Sequence, residues 1–373
     1  MKKYLSVLAI LLLNVLTLSA QTKGYHYIPA NNPYIHYIGR VSFNPPTSPC
    51  MVFPGTGMQV EFTGTSLRMK AKPRSGYFMV RTDGLTPHKI FFSAKDSILT
   101  VAQGLKNEKH LSTIMLVYEG YADRPEFRGF YTDRTATVLP FKTNKKLKLE
   151  FIGNSITCAY GVEAQSEKDH FSNATENFYY SYANLTAQAL NAQNMVVARS
   201  GIGIYRNYAG PQNGSKDNMS KWYDYTLIFD STQVWNPKRY IPDVICVNLG
   251  TNDLSTTPYN LKLFKSYYKR FMIHLHTLYP KAKIIMATGC MLHDKALDDQ
   301  RKTLDEILKE LKATGYKSIY RFDFTPADGS LGYGADSHPS KAQHRKMAGE
   351  LVPFIKRITK QIRFRVPCFT RPQ

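Results

Sequence analysis

LKLEFIGNSIT, residues 147–157, is the stretch that decides the fold of this chain. Leu147, Leu149 and Phe151 alternate with other residues at the period of a β-strand, and Gly153 ends the run. Ser155 therefore lies just beyond the carboxyl end of a predicted strand, where open α/β sheets bind their ligands. A serine in this place is a candidate nucleophile, although an isolated serine after a glycine is more often a turn residue.

Strands and helices alternate after this stretch. Residues 243–249 are a nearly continuous apolar run, as expected for a strand covered on both faces, and residues 259–278 carry apolar side chains at helical spacing. The same reasoning predicts further strands over residues 195–198, 283–287 and 319–322, and further helices over residues 178–190, 297–313 and 340–358. Repeated β-α units predict a parallel sheet with helices on both faces.

Residues 24–143 have a different pattern, made of short alternating runs that turn residues separate. Residues 58–62, 77–81 and 112–117 are examples. This pattern predicts an all-β sandwich that resembles a jelly roll. Two interpretations of it stay open, a glycan-binding module and a packing partner for the second domain. We expect the second, α/β domain over residues 147–362 and a basic tail over residues 363–373.

The first residues have the layout of a signal peptide. Met1-Lys2-Lys3 precedes an apolar run over residues 4–18, and Ser19-Ala20 follows it. We expect cleavage after Ala20 and export to the periplasm or the exterior of a bacterial cell. No later stretch approaches the roughly 20 apolar residues of a membrane helix, so no membrane span is expected after the signal is removed.

Composition narrows the classes of partner and cofactor. The formal net charge is +21, but lysine and arginine are spread along the chain without a recognisable nucleic-acid module, so no nucleic-acid partner is expected. The five cysteines are too few and too scattered for a disulfide scaffold or a close-spaced zinc site. His274 and His276 are a close pair, but side chains two residues apart on a helix point to different faces. We expect no metal and no cofactor.

Three later stretches also follow predicted strands or precede the last helix. RSGIGI, residues 199–204, carries glycines that let main-chain N–H groups approach a reacting carbonyl. GTND, residues 250–253, places a side-chain amide at the same edge of the sheet, and DSHP, residues 336–339, supplies a base with a carboxylate two residues before it. Together with Ser155 they form a nucleophile, oxyanion donors and an acid-base partner.

These four blocks resemble those of the SGNH, or GDSL-like, hydrolases. The wording FIGNSITCAYGVE over residues 151–163, with SGIG over residues 200–203 and a preceding β-sandwich, is similar to carbohydrate esterase family two, the acetyl-xylan-type esterases. The resemblance covers nearly the whole mature chain. It departs from the usual motif at Asn154, where the family has aspartate; asparagine keeps an acceptor and loses the charge.

The resemblance implies a role for each site residue. Ser155 would be the nucleophile and His338 its general base, with Asp336 orienting the imidazole; some members of the family use a main-chain carbonyl for that purpose instead. The Ser155 main-chain N–H, Gly201 and Asn252 would hold the oxyanion. His338 and Asp336 also have a simpler interpretation, as a surface histidine and a helix cap.

The implied function is that of an exported serine esterase that removes O-acetyl groups from plant-type polysaccharides such as xylan and glucomannan, working as a monomer. One alternative is an SGNH esterase acting on another acyl ester. A second is a non-catalytic glycan-binding protein with a degenerate hydrolase domain. An α/β-hydrolase is disfavoured, because no Gly-x-Ser-x-Gly motif occurs in the chain.

Overall fold

The computed structural model describes residues 24–360. The predicted signal peptide over residues 1–20 and the predicted tail over residues 363–373 lie outside this range. Within it, no helix is both long enough and apolar enough to cross a lipid bilayer.

The N-terminal part, which we call the sandwich (residues 25–139), consists of antiparallel strands. One sheet has the order β1-β11-β6-β9, and the other has the order β12-β5-β10-β7-β8 with β2 also paired to β5. A short pair, β3-β4, lies outside these two sheets. The strands are β1 (Tyr25–Pro29), β2 (His36–Ile38), β3 (Val41–Ser42), β4 (Cys50–Met51), β5 (Gly57–Gly64), β6 (Leu67–Ala71), β7 (Gly76–Thr82), β8 (His88–Phe92), β9 (Ile98–Ala102), β10 (Glu108–Leu116), β11 (Phe127–Asp133) and β12 (Val138–Leu139).

The two sheets face each other across a single hydrophobic core. In β5 the side chains of Met58, Val60 and Phe62 are buried, and those between them are partly exposed. Met69 of β6 and Phe130 of β11, from the other sheet, belong to the same core. The period-two alternation in the sequence thus separates a core face from an outer face, and the predicted β-sandwich is confirmed.

The C-terminal part, which we call the α/β domain (residues 148–360), is built on a parallel sheet. Its strand order is β14-β13-β17-β18-β19, with β15 and β16 forming a separate hairpin. The strands are β13 (Lys148–Gly153), β14 (Gln193–Ala198), β15 (Tyr225–Leu227), β16 (Asp230–Val234), β17 (Val244–Asn248), β18 (Lys283–Thr288) and β19 (Ile319–Asp323). The helices are α1 (Ser155–Cys158), α2 (Tyr182–Ala189), α3 (Met219–Trp222), α4 (Thr251–Leu254), α5 (Leu261–Leu278), α6 (Asp294–Ala313) and α7 (Lys341–Lys360).

Helices cover both faces of this sheet, as the sequence predicts. Phe264 of α5 and Leu304 of α6 pack into one core, whereas Ala183 of α2 and Leu351 of α7 pack into the other. The chain order reverses direction across the sheet between β13 and β17, because β14 lies on one side of β13 and the later strands lie on the other. In open α/β sheets such a reversal opens a crevice at the carboxyl ends of the strands.

One predicted helix is wrong in its extent. Residues 178–190 form a 3₁₀ turn, Phe178–Tyr180, and then α2, with Ser181 between them. The Ser181 hydroxyl accepts the N–H of Ala183 and donates to the main-chain oxygen of Thr157 at 2.7 Å. This side chain caps a new helix and ties it to α1, which is why the helix begins at Tyr182 and not at Phe178.

The sandwich also takes part in the core of the α/β domain. Cys50, Val52 and Phe53 belong to the same buried cluster as α5 and α6. The Arg40 guanidinium, from the sandwich, is fully buried and lies 3.2 Å from a carboxylate oxygen of Glu150 on β13. The two parts therefore share buried surface and a buried ion pair.

Candidate active site

Ser155 lies at the first residue of α1, directly after β13. Asn154 caps this short helix, because its side-chain oxygen accepts the N–H of Ile156 at 3.1 Å. Asparagine thus keeps the hydrogen-bond acceptor that an aspartate at this position would supply. The Asn154 side-chain nitrogen is buried and has no hydrogen-bond partner among residues 24–360. Ser155 is 7% exposed, at the reversal point of the sheet.

His338 is the partner of this serine. Its Nε2 lies 3.0 Å from the Ser155 Oγ, across 183 residues of sequence. Its Nδ1 lies 3.2 Å from the main-chain oxygens of both Ala335 and Asp336. Because carbonyl oxygens only accept, Nδ1 carries the proton and Nε2 is left to accept the proton of the serine hydroxyl. This is the tautomer that a general base requires.

The Asp336 carboxylate does not orient the imidazole, which corrects that part of the sequence interpretation. Its oxygens accept the Tyr160 hydroxyl at 2.8 Å and the Phe171 N–H at 3.2 Å, and one lies 3.3 Å from Nδ1 of His170. The physical reason is the backbone, since Asp336 and Ser337 have φ of 49° and 57°. These left-handed residues turn main-chain oxygens towards His338 and the carboxylate away from it.

Burial lowers the pKa of His338, and its two carbonyl partners and the negative charge of Asp336 oppose that shift. The imidazole is therefore neutral at neutral pH, as a base must be. The Tyr160 ring stacks on the imidazole with a centroid distance of 4.1 Å and on Phe171 at 4.2 Å. Through the Tyr160 hydroxyl, Asp336 thus supports the ring that covers His338.

The three expected oxyanion donors come together at the same edge. The Asn252 side-chain nitrogen donates to the Ile202 main-chain oxygen at 2.8 Å, which fixes the amide and leaves its second hydrogen free. Gly201, in the loop after β14, has a φ of 74°. Within the described part of the chain, the N–H groups of Ser155 and Gly201 donate to no protein acceptor. These groups can serve a developing negative charge.

Asp253 holds this loop in place rather than taking part in chemistry. Its buried carboxylate accepts the N–H groups of Ile204, Tyr205 and Arg206 at 2.9–3.0 Å. Burial raises the pKa of Asp253 to about 6, against the lowering effect of these bonds. A Cβ on Gly203 would lie 1.8 Å from the Arg206 main-chain oxygen, so only glycine fits beside this turn.

Several aromatic and arginine side chains of the α/β domain lie in the core and not at the site. Tyr205, Arg206 and Trp235 are at most 6% exposed, so packing explains them. Cys158 is also buried, and burial raises its pKa well above the ordinary thiol value, which removes it as a nucleophile. Tyr160, in contrast, contacts the site through its stacking on the His338 imidazole.

Sequence reasoning missed Glu119, which comes from the sandwich. Its carboxylate accepts the Ser200 N–H at 2.7 Å and also accepts the Ser200 hydroxyl. Ser200 directly precedes Gly201. The sequence holds no signal for this contact, because 81 residues separate the partners and they belong to different folding patterns.

Cavity size alone would point to another place. A cavity of about 640 Å³ lies between the sandwich and the amino-terminal edge of the parallel sheet, and its lining includes Arg81, Lys145, Lys148 and Asn194. Ser155 lies at the opposite, carboxyl-terminal edge. The chemistry, and not the volume, identifies the site.

Comparisons with known proteins agree with this arrangement. Residues 37–141 match the family Carbohydrate esterase 2 N-terminal, and residues 151–346 match the GDSL-like Lipase/Acylhydrolase family. Cellulase/esterase CelE of Acetivibrio thermocellus is 34% identical over 327 residues, which are 87% of this chain and 40% of that protein. The chain thus spans less than half the length of this relative.

Two further matches cover nearly the whole of the proteins concerned. An acetylxylan esterase / glucomannan deacetylase of Cellvibrio japonicus is 27% identical over 340 residues, or 89% of this chain and 91% of that protein. The structure of a family two carbohydrate esterase from Clostridium thermocellum in complex with cellohexaose superposes with a TM-score of 0.79 at 35% identity. That match covers 87% of this chain and 98% of the other, so the similarity includes both the sandwich and the α/β domain.

Proposed function

The chain belongs to the GDSL-like lipase/acylhydrolase family and, within it, to the family two carbohydrate esterases, which are carboxylic ester hydrolases; from this premise we propose that it removes O-acetyl groups from plant-type polysaccharides such as xylan and glucomannan. The observation that carries the proposal is the 3.0 Å contact between Ser155 Oγ and His338 Nε2, beside free N–H donors. The names of the relatives support the choice of acetylated glycans.

In the first half-reaction, Ser155 Oγ attacks the acetyl carbonyl carbon while His338 Nε2 takes the hydroxyl proton. The carbonyl oxygen becomes an oxyanion that accepts hydrogen bonds from the N–H groups of Ser155 and Gly201 and from the Asn252 amide. The two carbonyls at Nδ1 stabilise the imidazolium. When the tetrahedral intermediate collapses, His338 gives its proton to the sugar oxygen, which leaves as a hydroxyl group.

In the second half-reaction, water attacks the acetyl group on Ser155. His338 takes a proton from the water and the same donors hold the second oxyanion. Collapse of this intermediate releases acetate and returns the proton to Ser155 Oγ. The neutral state of His338, which its lowered pKa favours, is needed at the start of both half-reactions.

We also propose export. The lysines at positions 2 and 3, the apolar run over residues 4–18 and the small residue Ala20 support it, and an acetylated plant polysaccharide is too large to enter a bacterial cell. The test is the N-terminal sequence of the protein recovered from the periplasm or medium, expected to begin after Ala20. An intact N-terminus on cytoplasmic protein would contradict this part of the proposal.

The function is tested by acetate release from acetylated xylan, acetylated glucomannan and acetylated pectin. We expect release from the first two, and no release above background by Ser155→Ala, since that variant lacks the attacking oxygen. A fluorophosphonate probe should label Ser155 in the unmodified protein and leave Ser155→Ala unlabelled. Labelling without acetate release from any glycan would support Ser155 as the nucleophile of a serine hydrolase but contradict acetylated glycans as its substrates.

A further inference from the structure

Glu119 makes a two-point contact with the loop that follows β14. One carboxylate oxygen accepts the Ser200 N–H at 2.7 Å, and the other accepts the Ser200 hydroxyl. The pair of bonds fixes both the main chain and the side chain of Ser200. The Gly201 N–H lies in the following peptide plane, which is attached to the same Ser200 Cα, so Glu119 holds the residue from which the direction of this N–H is set.

A second carboxyl group lies against the first. Glu176, which precedes the 3₁₀ turn at Phe178–Tyr180, accepts the Glu119 main-chain N–H at 3.1 Å and is fully buried. Its other oxygen has no hydrogen-bond partner among residues 24–360. One oxygen from each carboxyl group and the Sγ of Cys158 lie within 4.8 Å of one another. No described lysine, arginine or histidine forms an ion pair with either glutamate.

Two neighbouring carboxyl groups in such a place resist being ionised together, so one of them keeps its proton to a higher pH. Burial, and then the charge of Glu119, raise the pKa of Glu176 well above its usual range. Burial also raises the pKa of Glu119, but the two hydrogen bonds from Ser200 and the charge of Arg199 act in the other direction. The two hydrogen bonds from Ser200 favour the ionised form of Glu119, and the unpartnered oxygen of Glu176 favours the protonated form of that residue.

We infer that Glu119 is a positioning residue of the esterase site, supplied by the sandwich: it holds Ser200 so that the Gly201 N–H points at the oxyanion, and protonated Glu176 lets it keep its charge in a buried place. The inference rests on the proposed function, because it assigns a role in the same acyl transfer. It also gives the sandwich a role in catalysis that is separate from binding of glycan.

The direct test is the isosteric variant Glu119→Gln, assayed with p-nitrophenyl acetate so that recognition of glycan does not enter. The amide oxygen can still accept the Ser200 N–H, but the amide nitrogen is a donor, so the bond to the Ser200 hydroxyl must reverse and the charge is lost. We expect kcat to fall by roughly 10-fold to 10²-fold with KM changed by less than about twofold, since a donor is misaligned and the acetyl group binds as before.

Ser42→Ala is the matched control. Ser42 is also a buried polar residue of the sandwich, and it donates to Gln233 of the α/β domain, which lies outside the oxyanion loop. We expect this variant to keep its kcat. If Glu119→Gln keeps the kcat of the unmodified protein, or if both variants lose kcat equally, the inference is wrong. If the unmodified protein itself fails to hydrolyse the ester, the proposed function fails instead.

Ser200→Ala decides the matter if Glu119→Gln does not fold. Ser200 is partly exposed. Its change to alanine removes only the hydroxyl bond and leaves the N–H bond to Glu119. We expect kcat to fall by about threefold to tenfold at unchanged KM, a smaller effect than in Glu119→Gln, because the charged carboxylate still accepts the Ser200 N–H. An unchanged kcat in Ser200→Ala would then overturn the inference.

The dependence of kcat on pH tests the Glu119–Glu176 pair further, because a purely structural role of these residues would not change that dependence. Ionisation of Glu176 at alkaline pH would place a second charge beside Glu119 and loosen its hold on Ser200, so kcat should fall there. Glu176→Gln cannot ionise and should lose this alkaline limb; an identical limb in both proteins would contradict the role of Glu176. The other titratable groups that interact with the two glutamates are Arg199, Cys158, Tyr118, Tyr121 and Tyr160.

Discussion

Two buried charged side chains of the sandwich, Arg40 and Glu119, contact the α/β domain, and their surroundings are opposite. Arg40 meets the carboxylate of Glu150, donates to the main-chain oxygens of Tyr223 and Tyr225, and lies over the Tyr223 ring at 4.5 Å. Glu119 meets another carboxyl group, Glu176. The first pair has no net charge, because a cation meets an anion. The second pair holds one proton and carries a single negative charge.

This difference separates two ways in which one domain can serve another. A balanced ion pair with both partners buried is costly to break by removing one partner. A carboxyl pair beside the oxyanion loop contributes less to folding, because its burial costs free energy, but it fixes the direction of a donor. We therefore expect changes at Arg40 to affect stability and changes at Glu119 to affect turnover.

The largest expected effect is on the Arg40 side of the comparison. Arg40→Met leaves the Glu150 carboxylate buried without its cation, and both side chains are 0% exposed. We expect the free energy of unfolding to fall by about 3–5 kcal/mol, the usual cost of breaking a buried pair by removing one partner. Urea unfolding measures it.

The double variant Arg40→Met/Glu150→Gln is the control for this prediction. It removes both charges and keeps an acceptor for the Tyr223 hydroxyl. In the unmodified protein this hydroxyl donates to Glu150 at 3.1 Å. It should recover a large part of the lost stability. If the single variant loses less than about 1 kcal/mol, the ion pair is not the structural contact that we describe.

The next largest effect is the loss of kcat in Asn252→Ala, which gives an upper limit for the loss expected from changes at Glu119. In the proposed mechanism Asn252 donates to the oxyanion directly, so Asn252→Ala should reduce kcat by about 10²–10³-fold, equal to roughly 2.7–4 kcal/mol, without a matching loss of stability. Glu119 acts through Ser200 and should not exceed this loss. Steady-state kinetics of both variants on one ester would contradict our ranking if Asn252→Ala had the milder defect.

A smaller effect should appear in the dependence of stability on pH. The folded pKa of Glu176 is raised above its ordinary value of 4.5, so its stabilising contribution is complete below that value and is lost as pH rises towards the folded pKa. Glu176→Gln does not titrate. Its free energy of unfolding should therefore decline less between about pH 5 and about pH 8 than that of the unmodified protein. Equal slopes in urea unfolding would show that Glu176 is already ionised.

The smallest effect concerns Asp336, whose charge acts on His338 from outside the hydrogen-bonded pair. Asp336→Asn should reduce kcat far less than the ~10⁴-fold loss seen where a carboxylate orients the base. The charge of Asp336 raises the pKa of His338, so its removal should move the acidic limb of the kcat/KM profile to lower pH. A severe loss of kcat would show that the Asp336 carboxylate, and not the main-chain carbonyls, orients the imidazole.

The sequence predicts the part of the site that depends on strand order. Ser155 and Asn252 follow β13 and β17, which are neighbours in the sheet, and Gly201 follows β14 on the other side of β13. Parallel strands bring their carboxyl ends to one edge, so residue type and position after a strand are enough to find these donors. His338 is found because it precedes the last helix.

The sequence does not predict the details that depend on single dihedral angles or on contacts between domains. Asp336 stands two residues before His338, and only its positive φ shows that its carbonyl, and not its carboxylate, faces the imidazole. Glu119 follows an apolar strand and resembles any residue of a surface turn. Its burial depends on how the sandwich lies against the α/β domain, which no local pattern records.

The packing of Cys50, Val52 and Phe53 into the core beneath α5 and α6 has a consequence for inheritance and engineering. A gene fragment that begins at the linker between the two parts, residues 140–147, would encode an esterase with a gap in its interior, so the two coding segments must be kept together through recombination. A chimera that takes its first segment from a relative must also take residues matching this apolar run, Arg40 and Glu119. Graft points are therefore better placed in exposed loops of the first segment than at the linker.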